Sequence, residues 1–146
     1  MKKHILTLAF ALVMLTSLVL MSGCSESYDF VATVKAWKPF ENSQGLPGTY
    51  GTVLDKYIDN CTWTANKASD TEASVVTKGK LTANGAVRDI QIIATVSITG
   101  DSASMRILSG EIDGESFNSN DMAELLIELF AAHNEGYATL DDYFNS

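Results

Sequence analysis

Cysteine, histidine and proline are all scarce in this chain, with two of each among 146 residues. Two cysteines cannot build a disulfide framework or a four-thiolate metal site. Basic residues are few as well: 10 Lys and Arg stand against 18 Asp and Glu, a formal net charge of -8. That balance argues against a protein that holds nucleic acid by its phosphate backbone. No Gly-x-Ser-x-Gly nucleophile turn occurs, and Gly45 and Gly48 lack the lysine and helix context of a phosphate loop. What is present is an ordinary apolar content, 46% of residues. It is enough to fold, and the length suits one domain.

The amino terminus has its own character. Met1-Lys2-Lys3-His4 is followed by an apolar run from Ile5 to Met21 and then by Met21-Ser22-Gly23-Cys24. A basic start, an apolar stretch and small residues before a cut site describe a bacterial secretory leader. The run falls short of the roughly 20 apolar residues of a membrane-spanning helix. Met21 to Cys24 resembles the lipobox of bacterial lipoproteins. That resemblance implies cleavage after Gly23 and a diacylglycerol on the Cys24 thiol, with palmitate or a similar chain on the new amino group. Two or three acyl chains anchor firmly where one does not.

The expected organisation is a cleaved leader over residues 1–23, a short tether over 24–29 and one domain over 30–146. Cleavage removes Lys2 and Lys3 from the 10 basic residues and none of the 18 acidic ones, leaving a side-chain charge of -10. Such a domain is repelled by anionic lipid, so it should hang from its anchor rather than lie on the membrane. In the lipoproteins it resembles, Asp after the lipidated Cys favours inner-membrane retention; Ser25 stands there, so the resemblance implies the outer membrane or cell surface in a Gram-negative host. In a host without an outer membrane it implies the outer face of the cytoplasmic membrane.

Along the domain, Tyr28, Phe30, Ala32, Val34 and Ala36 alternate with their neighbours and predict a strand closed by Pro39. Thr49 is a candidate cap for a helix whose Tyr50, Val53, Leu54, Tyr57 and Ile58 form one stripe, with Asn60 as its exit. A short strand over 61–65 carries Cys61 and Trp63 on one face, and both are expected in the core. Residues 73–82 and the run Ile90, Ile92, Ala94, Val96, Ile98 predict two strands joined at Asn84-Gly85, the dipeptide of a tight hairpin. Gly100-Asp101-Ser102 and Asp113-Gly114 turn the chain again around a strand with Met105, Ile107 and Leu108. Ser119 or Asn120 should start a last helix carrying Met122, Leu125, Leu126, Leu129, Phe130 and His133 on one side. Thr139 and Asp142 suit a final capped turn.

These elements predict an α+β fold, a two-layer sandwich: an antiparallel sheet of three to five strands with two helices on one face. The segment Thr49-Tyr50-Gly51-Thr52-Val53-Leu54-Asp55-Lys56-Tyr57 before Trp63 resembles one found in small uncharacterised bacterial lipoproteins. So do Ser74-Val75-Val76-Thr77-Lys78-Gly79, Ile112-Asp113-Gly114, the Val34-Lys35 pair and the leucine-rich terminal helix. The resemblance implies structure and carries no chemistry. A fold related to β-lactamase-inhibitor-protein domains is an analogy at the level of architecture.

Chemical candidates are few. His133 stands alone once His4 is removed, so no two-histidine metal motif exists. A calcium loop starting at Ser109 fails at its first ligand and at Asn120, where a bidentate Glu is needed. Glu111, Asp113 and Glu115, and Asp141 beside Asp142, are close in sequence as 18 acids in one chain would be by chance. No metal or cofactor is expected. Trp37, Phe40 and Tyr50 are the candidate interaction surface, since interfaces favour large aromatics; core packing is the competing role. Three functions stay open: a lipid-tethered, non-enzymatic binding module with an envelope protein partner; an envelope hydrolase or small-ligand carrier; and an inhibitor-like protein bound to an envelope enzyme. A deep pocket holding a carboxylate of raised pKa would favour the second.

Overall fold

The computed structural model describes residues 28–146 and a strand at Leu15–Leu18 (β1). Cys24 and most of the expected leader and tether lie outside the described residues. Where a strand was expected over 28–37 the chain forms a helix, α1, at Phe30–Lys35. The Asp29 carboxylate accepts from the Ala32 N–H at 2.9 Å and caps it. Phe30, Thr33 and Val34 are its buried residues, the i, i+3, i+4 set of a helix. Phe30 and Val34 fit both a period of two and a helical turn, and the Asp cap decides between them.

The second helix, α2, is Tyr50–Tyr57, capped by Thr49, whose hydroxyl accepts from the Thr52 N–H at 3.2 Å. It passes directly into β2, Ile58–Lys67. Asn60 is not the helix exit. It sits at φ 54° where β2 bulges against Gly79. A side chain at Gly79 would run into Ile58 and the Asp59 carbonyl, so the bulge and the glycine belong together.

Three long strands follow: β3 at Glu72–Ala83, β4 at Ala86–Thr99 and β5 at Ser102–Ile112. Asn84 and Gly85, at φ 54° and 72°, make the tight hairpin, and Asp113 and Gly114, at 51° and 82°, make another. The second hairpin returns as a short strand not anticipated from sequence, β6 at Glu115–Asn118. Helices α3, Ser119–Asn134, and α4, Leu140–Phe144, complete the chain. Asn118, one residue before the expected caps, accepts from the Asp121 N–H and starts α3.

The sheet is antiparallel, in the order β1-β5-β4-β3-β2, with β6 also on β5. β6 pairs with Ser109–Ile112 and β1 with Ser102–Met105, so the two share one edge of β5. Val75, Thr77, Ile90, Ile92, Ala94, Val96, Met105 and Ile107 are buried on one face. The helices pack there: Met122 of α3 lies over Gly110, and Tyr50 of α2 lies against Thr77. The opposite face carries half-exposed and exposed residues on β2, β3, β4 and β5. This is a two-layer α+β sandwich.

Candidate functional site

The three aromatics expected as a surface are core residues. Trp37, Phe40 and Tyr50 are each 0% exposed. Trp37 packs tilted against Tyr50 with ring centres 5.5 Å apart, and Phe40 meets Phe130 of α3 edge-on at 5.0 Å. The loop between α1 and α2 folds inward because the Tyr50 N–H donates to the Trp37 carbonyl at 2.6 Å. Closing that link turns both rings towards the sheet, where burying each is worth about 1.5–3 kcal/mol or more. They form no exposed recognition surface.

Trp63 and Cys61 depart from expectation the other way. Both are half-buried, because β2 is an edge strand and its inward side chains are only partly roofed by α2. The Trp63 indole packs edge-on against Tyr50 and donates to Asp55 Oδ1 at 2.8 Å. Lys35 Nζ lies 3.3 Å from Asp55 Oδ2 and 4.9 Å from the Trp63 ring. Burial would raise the Asp55 pKa, but the indole donor and Lys35 outweigh it and hold the carboxyl below its usual value. Cys61 beside it goes the opposite way: burial, then the Asp55 charge, push its thiol up to about 12. A thiol that stays protonated is a poor nucleophile, and the Trp63–Asp55 and Asp55–Lys35 contacts fasten α1 and α2 to β2.

His133 lies at the carboxyl end of α3, half-exposed, with its Nδ1 buried and without a hydrogen-bond partner among the described residues. Burial and the nearby Lys56 charge lower its pKa. Among the described residues no three His, Cys, Asp or Glu side chains are placed to hold a metal ion. No described helix is long and apolar enough to cross a membrane.

The remaining feature is the open face of the sheet. Its centre is apolar. Val76 of β3 pairs with Ile93 of β4, and Ile93 faces Ser109 of β5 across a bulge. Leu108 is the extra residue of that bulge, and it is 43% exposed. On one side of this strip runs a polar row, Thr62, Lys78, Gln91 and Glu111, in direct register across four strands. On the other runs Asn66, Ser74, Thr95 and Arg106. A hollow of about 380 Å³ lies over the first row and one of about 500 Å³ over the second.

No family model, curated protein or solved structure matches this chain.

Lys35, Lys38, Lys67, Lys80 and Arg88 each have a carboxylate partner: Asp55, Glu41, Asp70, Asp89 and Asp113 respectively. Lys78, Arg106 and Glu111 have none among the described residues, and all three are exposed on this face. The Ile93 exception in an otherwise regular strand, and Leu108 next to Ile107, are the signals in the sequence that could have located it.

Proposed function

We propose that this chain is a bacterial lipoprotein that works as a non-enzymatic binding module in the cell envelope, with the open face of its sheet as the binding surface. Met21-Ser22-Gly23-Cys24 after the apolar run carries the reading of the anchor. The Val76, Ile93 and Leu108 strip carries the reading of the surface. An apolar patch rimmed by unpaired charge is the usual character of a docking face. The tether enters the domain at α1, on the helical layer, which leaves the open face away from the point of attachment. Lipid at Cys24 holds the domain at the envelope, and the excess of acidic side chains keeps it off the lipid surface.

The hollows on this face are shallow and open; Asp55, whose pKa moves down rather than up, lies in the helical layer, and the buried Glu128 of α3 lines neither hollow. A general acid needs a pKa moved up. The binding reading is therefore preferred to the hydrolase reading. Metabolic labelling with an alkynyl palmitate in a bacterial host tests the anchor. The wild-type chain should take the label and sediment with membranes, and Cys24→Ala should do neither. An unlabelled wild-type chain would end the lipoprotein reading.

A further inference from the structure

We infer that the open face is where two copies of this chain meet, related by a two-fold axis running along β4. This rests on the reading of that face as the binding surface and names its occupant. Lys78, Gln91 and Glu111 form one row in register, on β3, β4 and β5 in turn. A two-fold axis along the middle strand exchanges the outer two while keeping each residue at its own height. It sets Lys78 of one copy over Glu111 of the other, twice, with the Gln91 amides facing each other. The apolar row obeys the same operation. Ile93 meets Ile93, and Val76 meets the Leu108–Ser109 bulge. In the third row Ser74 lies over Arg106 and Thr95 over Thr95, so no like charges oppose each other in these three rows; the next row brings Asp89 towards Asp89, each held by Lys80 of its own copy.

Such self-complementarity is what a symmetric dimer demands of a single patch. Lys78 and Glu111 sit two strands apart, about 10 Å, with Gln91 between them. Neither has an ion-pair partner within its own copy among the described residues. Sheets stacked face to face lie about 10 Å apart, within reach of opposed Lys and Glu side chains. Four strands about 4.8 Å apart and about eight residues long present about 500 Å² per copy. The pair buries about 1,000 Å², the lower limit for a specific interface. The dimer is therefore weak in solution and favoured where a lipid anchor confines both copies to one surface.

The test uses the full chain in membranes, with Gln91→Cys as a reporter on the two-fold axis and Cys61→Ser to remove the other domain thiol. A short bismaleimide should join two such chains, while the same chain without the reporter stays single. Lys78→Glu and Glu111→Lys should each lower the yield at least about tenfold, because each opposes like charges. The combined Lys78→Glu, Glu111→Lys chain should recover it. Absence of a reporter-dependent dimer overturns the inference, as does a yield that the single changes leave alone or the double change does not restore. Crosslinking of the face to a different envelope protein, lost on Leu108→Asp, would overturn self-association while leaving the binding face standing. Loss of both would remove the face as well.

Discussion

Asp55 and Trp63 join α2 to the edge strand β2: the indole N–H donates to the carboxylate at 2.8 Å, and Lys35 of α1 closes the group from the other side. Three elements thus meet at one partly exposed carboxylate. Asp55→Asn keeps an oxygen for the indole but removes the charge. The pair with Lys35 is solvent-screened, so the expected loss is small, about 0.5–1 kcal/mol in urea denaturation. The Asp55 pKa is below its ordinary 3.8, so its contribution is complete above that value. It is lost as pH falls through the folded-state value.

The same substitution should act on Cys61. Burial is the main reason its pKa rises to about 12, and the Asp55 charge is the next. Removing that charge lowers the thiol pKa and exposes more thiolate at any given pH. In a Cys24→Ser background, Asp55→Asn should speed maleimide labelling of Cys61 severalfold at pH 8. An unchanged rate would mean that the carboxylate does not govern the thiol.

His133 predicts a pH dependence of the opposite origin. Its folded-state pKa lies below 6.5, first from burial and then from Lys56. The unfolded chain then binds a proton more readily than the folded one between these two values. Stability is complete above about pH 6.5 and falls as pH drops towards the folded-state value. His133→Gln should flatten that part of the stability curve, and a curve left unchanged would exclude His133 as its source.

Phe40 distinguishes core from surface directly. With 0% exposure and an edge-on contact to Phe130, Phe40→Ala should cost about 3–5 kcal/mol. An exposed recognition residue would cost almost nothing on truncation. Equilibrium denaturation of the two chains separates these outcomes by several-fold in midpoint shift.

The strand β1, within the expected leader, has a structural consequence as well. β1 pairs its backbone with Ser102–Met105, a stretch of the β5 edge that β6 does not reach. Removal of residues 1–23 should leave the outward amides of that stretch unpaired. Hydrogen exchange should then be faster there than in the full chain and unchanged at Ser109–Ile112, which β6 covers. Equal protection in both forms would mean that another strand takes the vacated edge.

Local chemistry written in the sequence determined much of this fold. Thr49 before a single apolar stripe specifies α2. Asn84-Gly85 and Asp113-Gly114 specify hairpins because both residues of each turn need positive φ. The alternation from Ile90 to Ile98 specifies which face of β4 is buried, and the two-layer α+β class follows. These signals lie within a few residues of the structure they control.

What only the tertiary structure decided depends on distant partners. Residues 30–35 fit either period, and a capping carboxylate at Asp29 resolved them as a helix packed on the sheet. Trp37, Phe40 and Tyr50 became core because a loop closed between the two helices, while Trp63 stayed half-exposed because β2 fell at an edge. Lys78 and Glu111 are 33 positions apart in the chain, and strand register alone sets them in one row. Alternation could put Gln91 on the open face, but register is a property of assembled strands, so no local pattern could have aligned it with Lys78 and Glu111.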